Sequence, residues 1–159
     1  MNEIKRITSF TVDHNYIVPG MYISRIDGDI TTYDLRTRRP NHGDYMDNIT
    51  MHSVEHMFAT YARNSEMGDK VIYFGPMGCR TGFYLLLRTT DHDAAYALVK
   101  DILEKIVHHK GEMFGASAAE CGNYKELDPG CAKAEAARYL DQLLAREAMG
   151  KADFAYDKA

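Results

Sequence analysis

The segment Met51–Phe58 constrains the fold of this chain most, because it carries three chemically active side chains at helical spacing. His52, Glu55 and His56 stand at positions i, i+3 and i+4, which share one face of an α-helix with Cβ atoms about 5–6 Å apart. Two neutral imidazoles at this spacing can hold one divalent metal, and a carboxylate between them can move protons beside it. The segment therefore predicts a metal-binding helix that still needs a third ligand.

The residues before this segment predict β-structure. β-branched and aromatic residues between positions 9 and 36, interrupted by turn formers, indicate three short strands. The pair Asp27-Gly28 is typical of a hairpin turn, so the last two strands are predicted to pair in antiparallel fashion. Asp47 or Asn48 then caps the central helix, which is predicted to end near Arg63.

The residues after it complete an α+β pattern. The predicted elements are strands at 70–75 and 83–88, a helix at 91–109 and a last helix opened by Pro129-Gly130. That helix is expected to turn Ala134, Ala137, Leu140 and Leu144 inward, and the tail from Gly150 is expected to fray. Because strands cluster early and helices late, we expect a mostly antiparallel sheet with helices packed on one face, in a single domain spanning residues 1–159.

Composition and charge narrow the range of partners. A length of 159 residues is typical of one domain with its own core. The net charge of −4 disfavours nucleic acid and anionic membranes, which select basic surfaces. No apolar run approaches the roughly 18 residues that span a bilayer, and Met1–Arg6 lacks the apolar core of a signal peptide, so a cytoplasmic protein is predicted.

The cysteines offer the missing ligand. The chain has 3 cysteines and no CxxC pair, which does not indicate a disulfide framework. Cys121 lies in the small-residue run Ala119–Gly122, where a thiolate could complete a His, His, Cys set with one open position. The alternative is a small buried hydrophobe, which is how most free cysteines behave, and spacing alone favours it. For Cys131, in an alanine-rich helix, we expect that structural role.

More than one function fits these residues. H-x-x-E-H is also the motif of the inverted zincins, in which Glu55 would activate a zinc-bound water and a carboxylate would serve as third ligand. A small metallopeptidase is therefore one hypothesis. A metal-stabilised binding module with a closed site is another, and it would have no exchangeable water on the metal.

A second candidate for chemistry lies in the segment 75–82. Its 3 glycines in 8 residues predict a constrained loop between two strands. Cys79 stands between Gly78 and Arg80, where backbone N–H groups and a cation could favour the thiolate, although a turn cysteine without a role is the alternative. Three further candidates have structural alternatives. His14 can be a surface-loop histidine, Arg36 a solvated arginine at a strand end, and the pair His108-His109 a solvated helix end.

Five runs together resemble one known family. They are Ser9-Phe10 with Asp13-His14-Asn15, Tyr33-Asp34-Leu35-Arg36 with Pro40-Asn41, His52-Ser53-Val54-Glu55-His56, Gly75-Pro76-Met77-Gly78-Cys79-Arg80-Thr81-Gly82-Phe83-Tyr84, and Glu120-Cys121-Gly122. In this order and approximate spacing they resemble the S-ribosylhomocysteine lyase family, LuxS. One departure is visible, since the family often has Asp-Ile-Ser where this chain has Tyr73-Phe74-Gly75.

The resemblance implies a role for each candidate residue. By it, the metal ligands would be His52, His56 and Cys121, the acid/base pair Glu55 and Cys79, and the substrate-binding groups Ser9, His14 and Arg36. In the family the last set comes from the neighbouring subunit, which implies a homodimer with two sites at its interface. The ligand set implies one divalent metal per subunit, Fe²⁺ or Zn²⁺.

The resemblance also implies a reaction. The expected activity is cleavage of the thioether of S-ribosylhomocysteine, a small-molecule substrate, to homocysteine and dihydroxypentanedione. The latter product is the precursor of the quorum-sensing signal autoinducer-2, and the reaction belongs to the activated methyl cycle. Neither nucleic acid nor a membrane is expected as a partner.

Overall fold

A four-stranded antiparallel sheet carries the helices and positions the candidate residues. The computed structural model describes residues 3–157. The strands are β1 (Gly20–Asp27), β2 (Ile30–Arg36), β3 (Val71–Pro76) and β4 (Gly82–Leu87), in the order β1-β2-β4-β3. Every neighbouring pair is antiparallel, and β1 joins β2 through the turn at Asp27-Gly28, as predicted.

Three helices follow the predicted starts closely. They are α1 (Asn48–Arg63), α2 (His92–Val107) and α3 (Pro129–Ala148). Each is preceded by an aspartate whose side chain accepts a backbone N–H of the first turn: Asp47, Asp91 and Asp128. None of the helices within residues 3–157 is long and apolar enough to cross a membrane. The predicted α+β class is confirmed.

The two faces of the sheet have different roles. Alternate residues such as Leu35, Leu85 and Phe74 point to one face and are buried in the hydrophobic core beneath the helices. On the opposite face, Asp34 stands beside Tyr22 on β1 and Tyr84 on β4 in the strand register. We call this second side of the sheet the outer face.

Two predictions about the elements were wrong. The first predicted strand is replaced by single turns of 3₁₀ helix at Thr8–Phe10 and His14–Tyr16, the second capped by Asp13, whose side chain accepts from Asn15 N. Local side-chain capping of this kind competes with a strand. The inward face of α3 is shifted from the predicted one: its buried residues are Ala132, Glu135, Ala136, Tyr139 and Leu143, whereas Ala134 and Leu144 are exposed.

Two predictions of solvated segments were also wrong. His109 is buried, and both of its ring nitrogens have partners: Tyr61 Oη lies 2.7 Å from Nδ1, and Glu112 O lies 3.0 Å from Nε2. The tail beyond Gly150 does not fray over the residues described, since Phe154 is buried and Ile23 N donates to Phe154 O at 2.9 Å. His108 is solvated as expected.

Candidate metal centre

One group of three side chains in residues 3–157 has the composition and spacing of a metal site. His52 and His56 on α1 and Cys121 on the loop before α3 each offer one ligand atom, all within 4.8 Å of one another. Cys121 Sγ lies 3.3 Å from His52 Nε2. Tetrahedral zinc with its usual bond lengths separates neighbouring ligands by about 3.5 Å, so the donors fit one divalent ion.

Hydrogen bonds fix the orientation of both imidazoles. His52 Nδ1 donates to Glu126 Oε2 at 3.2 Å, and His56 Nδ1 donates to the Phe114 carbonyl oxygen at 2.8 Å. A carbonyl or carboxylate oxygen can only accept here, so each Nδ1 carries a proton, and in the neutral imidazole the lone pair is then on Nε2. Partners of this kind set the tautomer and raise the basicity of metal-binding histidines.

The loop that holds His56 is itself tightly placed. Gly115, with φ of 66°, lies so close that a Cβ there would stand 3.0 Å from His56 Nδ1. Phe114 packs edge-on against both Tyr61 and the buried His109, with ring centroids 5.3 and 5.0 Å away. The buried histidine therefore anchors the loop that presents the carbonyl to His56.

Cys121 is held by backbone contacts on both sides. Its N–H donates to Ser117 O at 3.0 Å, and its sulfur accepts from Asn123 N at 3.4 Å. Asn123 Nδ2 also donates to Glu126 Oε2 at 3.1 Å, so the same short segment supports the thiol and the His52 partner. Cys121 is half-buried, and its sulfur faces His52 on α1.

Glu55 lies beside this group and opens onto solvent. It lines an open depression with Asn48, Met51, His52, Pro76, Asn123 and Glu126. Among the residues described, no hydrogen bond or ion pair engages the Glu55 carboxylate, and the side chain lines the open depression. Pro76 at the end of β3 brings the loop of Cys79 to the same rim.

Cys79 belongs to a chain of hydrogen bonds that leads to the outer face. Its sulfur lies 3.0 Å from Thr81 Oγ1, which accepts from Arg36 Nη1 at 2.9 Å. Arg36 pairs with Asp34 through two bonds, of 3.1 and 2.6 Å. Burial acts to lower the pKa of Arg36, but the Asp34 charge and hydrogen bond outweigh it and Cys79 adds to them, so the pKa is raised.

The substrate-binding candidates lie elsewhere in the chain. Ser9 stands beside Tyr84, where burial and then the charge of Asp34 raise the tyrosine's pKa while the serine hydroxyl lowers it. His14 is half-buried and donates to Val12 O at 2.9 Å. Arg36 is only 2% exposed, so the alternative of a solvated arginine is wrong. None of these three candidates lines the depression beside Glu55.

The departure at Tyr73-Phe74-Gly75 has a local physical reason. The Tyr73 ring folds back over Gly75, and a Cβ at residue 75 would collide with the phenol oxygen and its ring. A tyrosine at 73 in this rotamer therefore requires glycine at 75. The differences at 73 and 75 are therefore coupled, and the third difference, Phe74, packs in the core against Phe58 and Phe83.

Glu126 gives a testable prediction for this site. In Glu126→Ala the His52 ring loses its carboxylate partner, and we expect affinity for Zn²⁺ to fall about 10–100-fold. Competition with a chromogenic chelator measures it. Glu112→Ala is the matched control, because that exposed carboxylate lies on the same connection and supports neither histidine. Wild-type affinity in Glu126→Ala would show that the contact has no role in binding.

Sequence reasoning missed the supports of the site. Glu126 and the Phe114 carbonyl carry no motif, and Thr81 stands in the run 75–84 without a role assigned to it. An acidic residue five positions after a candidate ligand is a weak signal for a histidine partner. The fold and the group of donors define a class: an α+β protein in which a helix and a later loop assemble a His-His-Cys site able to bind one divalent metal beside an open depression.

Comparison with known proteins narrows that class to a family. Residues 7–149 match the family described as S-ribosylhomocysteinase (LuxS). A protein from Clostridium beijerinckii named S-ribosylhomocysteine lyase is 41% identical over 148 residues, which cover 89% of this chain and 92% of the relative. Relatives of the same name from Borreliella burgdorferi and Desulfotalea psychrophila are 44% and 40% identical, covering 88% and 89% of this chain and 93% and 92% of their own.

The chain belongs to the S-ribosylhomocysteinase (LuxS) family. The resemblance seen in the five sequence runs is thereby confirmed, and so is the prediction of an enzyme of the carbon–sulfur lyase class.

Proposed function

We propose that this protein cleaves S-ribosylhomocysteine to homocysteine and dihydroxypentanedione, the autoinducer-2 precursor, as a single catalytic domain. The observation that carries the proposal is the His52, His56 and Cys121 group beside Glu55 in an open depression, in a chain of this family. A hydrolase of the H-x-x-E-H type would use a carboxylate as third ligand. Here the carboxylate of Glu126 instead contacts the far nitrogen of a histidine.

His52 Nε2, His56 Nε2 and Cys121 Sγ would hold one divalent ion per subunit, Zn²⁺ or Fe²⁺. When bound, such an ion supplies a Lewis acid that polarises a carbonyl oxygen of the substrate. Metal binding through Nε2 needs no change of tautomer in either histidine. The Nδ1 protons are already donated to Glu126 and to the Phe114 carbonyl. The Nε2 lone pairs of the two neutral histidines are therefore available to a metal.

Glu55 and Cys79 would carry the protons. Moving a carbonyl along the ribose requires a base that removes a proton from one carbon and an acid that returns it to the neighbouring oxygen or carbon. The unpaired Glu55 carboxylate can do both in the depression. Cys79 acts as a second base rather than as a nucleophile, since the final β-elimination expels homocysteine as a thiolate and needs no covalent enzyme intermediate.

Thiol release tests the proposal. Metal-loaded protein is incubated with S-ribosylhomocysteine, and samples freed of protein are assayed for thiol with a disulfide reagent and for both products by mass spectrometry. We expect thiol and dihydroxypentanedione in equal amounts. A parallel incubation with a peptide mixture tests the hydrolase alternative, and peptide cleavage without thiol release would overturn the lyase.

A homodimer with shared sites is the second part of the proposal. Ser9, His14 and Arg36 do not line the depression of their own chain. Large apolar side chains are exposed close to Ser9: Ile4 is 93% exposed, Ile7 59% and Phe10 62%. An exposed apolar patch of this kind is typical of an interaction surface. Packing of two copies there would bring the substrate-binding groups of one chain to the metal site of the other.

Mixed dimers give the sharpest test of shared sites. Glu55→Gln and His14→Ala are each expected to be nearly inactive alone. Coexpressed with different tags, they form heterodimers in which one of the two sites has both residues intact, so random pairing restores about one quarter of wild-type activity. Two-step affinity purification isolates the heterodimer for assay. No recovery in it would show that each site lies within one chain.

A further inference from the structure

We propose that Tyr156, on the C-terminal tail of residues 150–157, is a positioning residue whose hydroxyl holds Arg36 and Thr81 in line with Cys79. The tail lies beyond the segment that matches the family, which ends at residue 149. The inference rests on the proposed function, in which Cys79 transfers protons. Its physical basis is a continuous series of contacts from the tail to the Cys79 sulfur.

The tail is fastened to the sheet at several points. Phe154 O accepts from Ile23 N on the edge strand β1 at 2.9 Å, and the Phe154 side chain is buried. Arg146 on α3 pairs with Asp157 at 3.2 Å. Phe154 has φ of 64°, a left-handed backbone that a bulky residue adopts only where its surroundings impose it. The tail is therefore held along the edge strand β1, with Phe154 in the core.

Tyr156 reaches the centre of the outer face from this tail. Its ring stacks on Tyr22 with centroids 4.7 Å apart, and its hydroxyl donates to Asp34 Oδ2 at 2.8 Å. Burial, followed by the Asp34 charge, raises the pKa of Tyr156, so the phenol keeps its proton as a donor. The tail thus supplies a fixed hydrogen-bond donor to a carboxylate that is itself only 2% exposed.

With this contact Asp34 accepts three hydrogen bonds, two from Arg36 and one from Tyr156. The Tyr156 hydroxyl fixes the rotation of the carboxylate, and the bidentate pair then fixes the plane of the guanidinium. That plane aims Arg36 Nη1 at Thr81 Oγ1. Because Thr81 accepts from the guanidinium, its own O–H is available to donate to the sulfur when Cys79 is a thiolate.

Loss of the Tyr156 hydroxyl would weaken the end of this series in either of two ways. The carboxylate could rotate and take the guanidinium out of line with Thr81. Alternatively, with one donor fewer, Asp34 would draw Arg36 more strongly to itself and away from Thr81. Both changes reduce the support for the Cys79 thiolate. The variant Tyr156→Phe isolates this effect, because it keeps the ring that stacks on Tyr22.

Cys79 alkylation provides a readout that a merely structural role would not move. Metal-loaded protein is treated briefly with iodoacetamide between pH 6 and 8, then digested with trypsin. Cleavage after Lys70 and Arg80 gives a peptide, residues 71–80, that contains Cys79 and neither of the other two cysteines. In Tyr156→Phe we expect alkylation near pH 7 to slow about three- to tenfold and kcat to fall similarly, with KM changed less than about twofold.

The matched control is Asp157→Asn, which weakens the pairing with Arg146 in the same tail but leaves the Tyr156 hydroxyl in place. It should alkylate at the wild-type rate. Wild-type alkylation in Tyr156→Phe, with only a lower thermal midpoint, would make the tail purely structural and overturn the proposal. Equal slowing in both variants would also overturn it, because the effect would then belong to loosening of the tail.

Alkylation needs no substrate, so this test separates two failures. If wild-type protein releases no thiol from S-ribosylhomocysteine, the proposed function fails while the alkylation rates still decide whether Tyr156 supports Cys79. If thiol release is normal and Tyr156→Phe matches the wild type in both alkylation and kcat, only the positioning role of Tyr156 fails.

Discussion

Cys121→Ala is expected to lower affinity for Zn²⁺ by more than about 100-fold and to abolish thiol release. The substitution removes the thiolate, the one proposed ligand that does not come from α1. Only the two imidazoles, 4 residues apart on that helix, then remain to bind the ion. Metal analysis of the purified variant and chelator competition measure the loss. Backbone contacts hold the Cys121 loop independently of the sulfur, so the variant should remain folded.

Cys131→Ala is the matched control for this substitution. Cys131 lies in the first turn of α3, where its Sγ is 3.6 Å from Asp128 Oδ2, and it is not among the three grouped ligand atoms. The control should keep one metal per subunit and full activity. A Cys121→Ala protein that kept its metal would contradict the site and favour a carboxylate third ligand, as in the H-x-x-E-H peptidases.

Cys79→Ala is expected to show the opposite pattern, with metal retained and turnover lost. Cys79 contacts Thr81 and is not among the three grouped ligand atoms, so removing it leaves the metal donors intact. Loss of a positioned acid/base group lowers kcat by about 10²–10⁴-fold. Metal content and thiol release, measured on the same preparation, separate the two effects.

Cys79→Ser extends that comparison. Serine keeps the hydrogen bond to Thr81, but its hydroxyl is not ionised near neutral pH, so the variant should be nearly as slow as alanine if Cys79 acts as a base. Substantial turnover in Cys79→Ala would contradict the role given to the thiol and leave Glu55 as the sole proton-transfer group.

Much of the fold follows from local signals in the sequence. Asp47 and Asp91 cap helices at the predicted starts because an aspartate side chain satisfies a free backbone N–H of the first turn. Asp27-Gly28 likewise gives the β1–β2 hairpin. The i, i+4 spacing of His52 and His56 places both rings on one face of any helix. This part of the site could therefore be predicted from the α1 sequence alone.

What could not be predicted depends on long-range contacts. Cys121 contacts His52 although the two residues are 69 positions apart in the sequence. Sequence spacing alone favoured a structural, buried role for this cysteine. Arg36 is buried because Asp34 and Thr81 satisfy it, which the strand pattern does not reveal. The tail resembles a frayed end in composition, yet Tyr156 is fixed by Tyr22 and Asp34 from distant strands. Only the resemblance to a family favoured Cys121 as the third ligand over a structural cysteine.

The central claim is that the metal held by His52, His56 and Cys121 is required for cleavage of S-ribosylhomocysteine. The most direct measurement is the rate of thiol release as chelator-stripped protein is titrated with Zn²⁺ or, without air, with Fe²⁺, while bound metal is quantified in the same samples. The account predicts a rate that rises in proportion to bound metal and levels off at about one ion per subunit. Full activity in metal-free protein would contradict it.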